Sequence, residues 1–316
     1  MSNIIAVIWD FDKTLIQGYM QDPIFRKFNV DPEAFWRLVN SLPDRYQAEQ
    51  GVTVNRDTFY LNYFIECAHA KEATPDIPFP MYGLNNAQLR EFGRELTYFP
   101  GATGIFDLTR KVVKKDMFAE FDIRVEHYIV STGMKAIIEG SAIRDKVEHI
   151  WACELLEKVD DEGRRIISAP GYTIDNTTKT RALFEIEKGV PKRQGVDVNM
   201  KLPEELKRVQ FENMIYIADG PSDVPAFSVI NLKGGSTFGI YPRGNMAALA
   251  QLEKLRSDGR IQMYAEANYE RDSTAAMWLC HKISERAHAI CDRALHDFRK
   301  NSFVPKHILP TSGEDG

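Results

Sequence analysis

Ile4-Ile5-Ala6-Val7-Ile8-Trp9-Asp10-Phe11-Asp12-Lys13-Thr14-Leu15 is the stretch on which the reading of this chain turns. Six apolar residues without alternation predict a strand buried on both faces, as at the centre of a parallel sheet. The run ends in two carboxylates two positions apart, Asp10 and Asp12. Side chains at that spacing on extended chain project to the same side. Ligands of open α/β sheets collect beyond the carboxyl ends of the strands. Two acids held together there repel unless a cation or a shared proton offsets them, so the pair points to a metal-assisted site.

The 316 residues suffice for one large core or a core with a smaller inserted domain. Apolar content of 44% and charged content of 27% are ordinary globular values. A net charge of −5 with acids and bases well mixed argues against a nucleic-acid partner. Cys67, Cys153, Cys280 and Cys291 are scattered with no CxxC pair, which predicts reduced thiols in a cytoplasmic protein. The first strand opens at once, so no signal peptide is expected. No apolar run approaches the ~20 residues of a membrane span, so no membrane partner is expected.

Beyond Leu15 the character changes, and from about Ile16 to Tyr98 helix starts replace strand signals. Asp31-Pro32 reads as an N-cap and first helical residue, and Asn55 as the cap of a helix with an aromatic face of Phe59, Tyr60, Tyr63 and Phe64. Pro75–Pro80 must be a loop, and Asn85 with Gln88 resembles a capping box. Gln17-Gly18 and Phe99-Pro100-Gly101 are the expected hinges of this all-helical insertion.

Helix and strand then alternate. Helices are expected over Thr103–Val113, from Met134, and over Thr178–Lys188. Buried strands are expected over His127–Ser131, ending in Thr132-Gly133, and over Asn213–Ala218. Trp151–Glu157 and Arg164–Ser168 flank Asp160-Asp161-Glu162-Gly163 and suggest a hairpin. Pro191–Met200 reads as a polar loop, Thr237–Tyr241 and Ile261–Ala265 as short strands. The last helix is expected from Ser273 to Arg299, followed by a loose tail. Strands separated by helices argue for an α/β, doubly wound parallel sheet.

Polar clusters sit at or near these strand ends: Asp10/Asp12/Thr14, Ser131/Thr132, Lys179, and Asp219/Asp223. Each has an ordinary explanation alone, as an N-cap, a solvated lysine or a turn. Their order, and the apolar strand before three of them, change the reading. Together, Asp10-Phe11-Asp12-Lys13-Thr14-Leu15, Ile129-Val130-Ser131-Thr132-Gly133, Lys179 in Thr178-Lys179-Thr180-Arg181-Ala182-Leu183, and Ala218-Asp219-Gly220-Pro221-Ser222-Asp223 resemble the four motifs of the haloacid dehalogenase-like superfamily. The resemblance is to its phosphoserine-phosphatase-like branch and covers roughly residues 1–15 and 98–270. It implies a Rossmann-like core over 1–16 and 98–300, a helical cap over 17–97 between the first and second motifs, and a flexible tail over 301–316.

The resemblance also implies roles. Asp10 would be the nucleophile on a phosphomonoester, Asp12 the general acid and base, and Lys179 the counter-charge. Ser131, Thr132 and Gly133 would hold phosphate oxygens, with Thr14 and Ser222 supporting the motif loops. Mg²⁺ would be held by Asp10, the Asp12 main-chain carbonyl and Asp219, with Asp223 either a further ligand or a partner that orients the ligands. The implied activity is hydrolysis of a small phosphorylated metabolite. A phosphotransferase or phosphomutase is the alternative within the class, and an inactive binding or regulatory protein the alternative outside it. A phospho-accepting receiver module is argued against by the insertion.

Two features depart from the family pattern. Ser222 stands where the branch commonly has Asn. Phosphoserine phosphatases carry a glutamate shortly after the first motif, whereas Ile16-Gln17-Gly18-Tyr19-Met20-Gln21 has none, which demotes phosphoserine as substrate. Arg45 and Arg56 are the insertion's candidates for an anionic substrate, with exposed helix arginines the blander expectation.

Overall fold

The computed structural model of the chain describes residues 2–301. The tail expected over 301–316 lies, beyond Asn301, outside the described residues. In chain order the elements are β1 (Ile4–Trp9), α1 (Asp22–Phe28), α2 (Pro32–Gln50), α3 (Phe59–His69), α4 (Asn86–Gly93), α5 (Ile105–Val112) and α6 (Asp116–Ala119). There follow β2 (Arg124–Met134), α7 (Lys135–Glu139), β3 (His149–Val159), β4 (Arg165–Tyr172), α8 (Lys179–Lys188) and β5 (Met214–Ala218). The chain ends through α9 (Val224–Leu232), β6 (Ser236–Tyr241), α10 (Met246–Ser257), β7 (Met263–Glu266) and α11 (Thr274–Asn301).

Seven strands form one sheet in the order β4-β3-β2-β1-β5-β6-β7. Every pairing is parallel except β3 with β4, which are antiparallel across the turn at Asp160–Gly163. The Asp160 carboxylate accepts the Glu162 and Arg164 N–H groups there, and Gly163 supplies the left-handed φ of +78°. The expected doubly wound parallel sheet is therefore present, with one antiparallel edge strand.

β1 is central because all six of its residues are apolar and buried on both faces. It pairs with β2 on one side and β5 on the other, so the strand order reverses at β1. A crevice opens where connections leave in opposite directions, and Asp10 is the first residue beyond that strand end.

The connection from β1 to β2 carries four helices before it rejoins the sheet layer. Asp31 caps α2 through the Glu33 N–H with Pro32 in the first turn, and both halves of the Asn85/Gln88 capping box are present. Asn55 does not cap α3. Its side chain accepts the Asp57 N–H and donates to Asp175, and the helix starts only after Thr58. A short side chain satisfied by its own turn is not free to cap a helix further along.

Phe25, Phe35 and Phe64 centre this segment, with ring centroids 4.8, 4.9 and 5.9 Å apart. α4 meets α7 backbone to backbone. A Cβ on Gly93 would lie 2.1 Å from the Ile137 carbonyl oxygen, and one on Gly140 1.8 Å from that of Arg90. Only glycine admits that approach.

β2 runs three residues further than the sequence predicts, through Thr132 and Gly133 to Met134, with a register irregularity against β3. Hydrogen bonding to β3 resumes past the polar cluster, which is why composition alone ends the strand early. No helix among the described residues is long and apolar enough to cross a membrane. All four cysteines are free.

His127 on β2 is fully buried in this core. Trp9 Nε1 donates to its Nδ1 at 3.1 Å, and its Nε2 lies 2.9 Å from Thr109 Oγ1. The Thr109 hydroxyl is directed at the Ile105 and Phe106 carbonyls, so the imidazole is neutral with its proton on Nε2. Burial, followed by Arg110, lowers its pKa to about 3. The unfolded chain takes up this proton near pH 6.5 and the folded chain does not. Stability is therefore complete above pH 6.5 and falls by up to about 1.4 kcal/mol per pH unit on going down towards pH 3. Urea melts between pH 7 and 4 should show a slope that is shallower in His127→Gln. An equal slope in both proteins would refute the assignment.

Candidate active site

The site is assembled from three strand ends and one helix start. Asp10 follows β1, and its N–H donates to the Ile217 carbonyl of β5 at 2.9 Å, which extends the ladder to the carboxylate. The next turn is tight. Lys13 adopts a left-handed φ of 55°, and the N–H groups of Thr14 and Leu15 return to the Phe11 carbonyl. Thr14 is fully buried and directs its hydroxyl to Asp10 Oδ2 at 3.3 Å, while Tyr269 holds the Thr14 carbonyl at 2.6 Å.

Lys179, the first residue of α8, is 1% exposed and reaches between two carboxylates. Its Nζ lies 2.8 Å from Asp10 Oδ1 and 2.6 Å from Asp223 Oδ1. Asp223 also receives hydrogen bonds from Tyr216 at 2.7 Å and Ser222 at 2.9 Å. Asp219 sits just beyond β5. Asp10, Asp219 and Asp223 each bring one carboxylate oxygen to within 4.8 Å of the others. Asp12 stands outside this trio, its Oδ1 accepting the Met20 N–H at 2.9 Å.

On the β2 side Ser131 is buried and its Oγ accepts the Gly133 N–H at 3.0 Å. Tyr60 of α3 donates to the Thr132 carbonyl at 2.8 Å, and the Met134 N–H points to Met20 Sδ at 3.0 Å. A Cβ on Gly133 would come within 2.1 Å of Met20 Cε, so the methionine side chain of the segment after the first motif lies directly against this loop. Ser131–Gly133 lie at the end of β2, and α7 follows directly from its N-cap Met134, close to where the sequence places that helix start. Arg45 and Arg56 pair with Asp76 and Asp44 at the surface of the helical segment.

Electrostatics follow from three carboxylates facing one ammonium out of water. Burial, only partly countered by Lys179 and reinforced by Asp223, pushes Asp10 up to about 6. Burial and the repulsion of Asp10 and Asp223 push Asp219 up to about 7. Burial and then Asp10 raise Asp12 well above the carboxylate range. For Lys179 burial opposes the charge, but Asp10 and Asp223 outweigh it and raise its pKa. One lysine does not neutralise this cluster. An oxygen-rich, over-acidic pocket is the donor set of a hard divalent cation such as Mg²⁺, so these residues fit that ion.

Sequence reasoning did not find Tyr216, Tyr269 or Met20, and it read Tyr60 as core of the helical insertion in preference to a substrate wall. Tyr216 left a signal, a lone phenol in the otherwise aliphatic strand before Asp219. The others come from distant segments, and their local sequence says nothing of where they land.

No protein-family model matches the chain. In fold it is similar to a haloacid dehalogenase family hydrolase of Salmonella enterica serovar Typhi, at TM-score 0.49 and 14% identity over 84% of this chain and 67% of that one. It is similar to a phosphoserine phosphatase solved as a phospho-aspartyl intermediate analogue, at TM-score 0.44 and 17% identity over 82% of this chain and 91% of that one. A cytosolic 5′-nucleotidase IIIB bound to cytidine matches at TM-score 0.48 and 10% identity over 91% and 88%. The motifs lie along the carboxyl edge of a sheet that reverses at β1, in the arrangement that the sequence resemblance to haloacid dehalogenase-like proteins implies. By sequence the chain belongs to one family with an uncharacterised protein of Borreliella burgdorferi, 34% identical over 294 residues that cover 89% of this chain and 97% of that one.

Proposed function

We propose that the chain is a Mg²⁺-dependent phosphatase that hydrolyses a small soluble phosphomonoester in the cytoplasm through an aspartyl-phosphate on Asp10. The observation that carries this reading is the division of labour between two neighbouring acids. Asp10 is gripped by Lys179 and joined to Asp219 and Asp223, whereas Asp12 stands outside that cluster with one oxygen held by the Met20 N–H.

In the first step an Asp10 oxygen attacks phosphorus and the bond to the ester oxygen breaks. The departing alkoxide takes a proton from Asp12, whose pKa burial and the neighbouring Asp10 raise in the direction a general acid needs. In the second step Asp12 removes a proton from water, the water oxygen attacks phosphorus, and the Asp10–phosphorus bond breaks. Lys179 faces the charge that builds on the phosphoryl oxygens, and Ser131 with the Thr132 and Gly133 backbone holds them. Asp10, the Asp12 carbonyl, Asp219 and Asp223 are the residues that would hold Mg²⁺. When bound, the ion supplies positive charge against the phosphate and the crowded acids. Four free cysteines suit a reducing compartment.

Hydrolysis of p-nitrophenyl phosphate should require Mg²⁺, disappear with EDTA and return on adding excess Mg²⁺. Turnover that persists in EDTA would overturn metal dependence. Metal binding without turnover of any ester in a broad panel of phosphorylated metabolites would favour a binding protein instead. Phosphate appearing on an added alcohol in place of water would favour a phosphotransferase.

A further inference from the structure

Three aromatic rings span the gap between the two loops that flank Asp10. Tyr19 stands on the loop after the first motif, Trp36 on α2 and Tyr60 on α3. The centroids of Tyr19 and Trp36 are 5.9 Å apart, and those of Trp36 and Tyr60 5.7 Å apart. At one end Lys13, next to Asp12, donates to the Tyr19 hydroxyl at 2.6 Å and lies 4.0 Å from its ring centroid. At the other end Tyr60 is tied to the Thr132 carbonyl. The strip therefore runs from the loop of the acid that serves the leaving group to the loop of Ser131.

Two polar atoms here have no partner. Trp36 Nε1 is buried without an acceptor, and Gln21 Oε1, on a residue 3% exposed directly after Met20, is buried without a donor. A buried donor left unmade costs about 1–3 kcal/mol, which a bound acceptor would recover. The rings meet at 45° and 57°, so neither pair is stacked in parallel, and behind them Trp36 packs edge-on against Phe25 and Phe35 and Tyr60 against Phe64, which fixes the strip in place. Arg45 and Arg56, which an anionic leaving group would need, are engaged by Asp76 and Asp44.

We propose that Tyr19, Trp36 and Tyr60 form the leaving-group wall of the site. The substrate is then the phosphomonoester of a neutral alcohol bearing a flat, π-rich ring with a hydrogen-bond acceptor for Trp36 Nε1. This rests on the phosphatase reading above and adds the substrate class.

The test compares kcat/KM for benzyl, pyridylmethyl and n-pentyl phosphates, all esters of primary alcohols of comparable leaving ability. The wild-type protein should favour the two ring esters over n-pentyl phosphate by about fivefold to tenfold. Trp36→Leu should bring that ratio close to one, mainly through KM. Trp36→Phe keeps a ring but no N–H, so it should retain the benzyl preference and lose any advantage of pyridylmethyl over benzyl. Each ratio is internal to one preparation, so a partly unfolded variant lowers all esters alike. A wild-type preference for n-pentyl phosphate, or ratios unmoved by Trp36→Leu, would overturn the wall and leave the phosphatase reading standing. Failure of the wild-type protein with Mg²⁺ to cleave any ester would remove both.

Discussion

Asp10→Asn is expected to lower turnover of any phosphomonoester by at least about a thousandfold while leaving the protein folded. The amide is nearly the same size as the carboxylate; its oxygen can still accept from Lys179, and its NH2 can donate to the Thr14 hydroxyl. What it loses is the negative oxygen that bonds to phosphorus. The fold should tolerate the change because the acids are over-supplied. Asp10 and Asp219 are both pushed up in pKa, in part by carboxylate neighbours, so removing one charge relieves repulsion there. Lys179 meanwhile keeps its 2.6 Å partner in Asp223. The measurements are initial rates on p-nitrophenyl phosphate, with circular dichroism and a urea melt on the same preparation. Rates within tenfold of the wild type in a folded variant would remove Asp10 from the role of nucleophile.

Lys179→Met should be costly in a different way, because it strands charge rather than removing it. Asp10 and Asp223 have side chains 8% and 0% exposed, and both lean on the same ammonium. Breaking a buried pair by deleting one partner typically costs about 3–5 kcal/mol, more than methionine's extra packing returns. Unfolding in urea at neutral pH with EDTA present should show a loss of that order, and turnover with Mg²⁺ should fall as well, since the phosphoryl charge then lacks its cationic contact. Asp10→Asn and Lys179→Met thus separate chemistry from cohesion. The first should silence a stable protein, and the second should weaken the protein itself. A Lys179→Met protein as stable as the wild type in EDTA would mean that water already solvates these acids.

The core of the fold was readable from local pattern. A six-residue apolar run can hardly be anything but a doubly buried strand, and its terminal acids mark the end of that strand. Asp31, Asn85 and Gln88 announce helix starts through short-range hydrogen bonds that any chain with those residues can make. Asn55 carried the same kind of signal and was spent on its own turn instead. Thr132 and Gly133 were placed at the end of a strand that in fact continues through them, because bonding to β3 depends on a segment about twenty residues further along.

What the linear order of residues determined here is the set of groups available for chemistry and the strands that carry them. Apolar periodicity and motif spacing are properties of neighbouring residues and survive without knowledge of the fold. Only the tertiary structure decided which of those groups share a charge. That Lys179 bridges Asp10 and Asp223, that Asp12 is held by the Met20 N–H, and that Tyr60 crosses from α3 to Thr132 are contacts between segments up to 169 positions apart. Such contacts are set by how the sheet orders its strands and how closely α4 settles on α7. Neither is written in any one stretch of the chain.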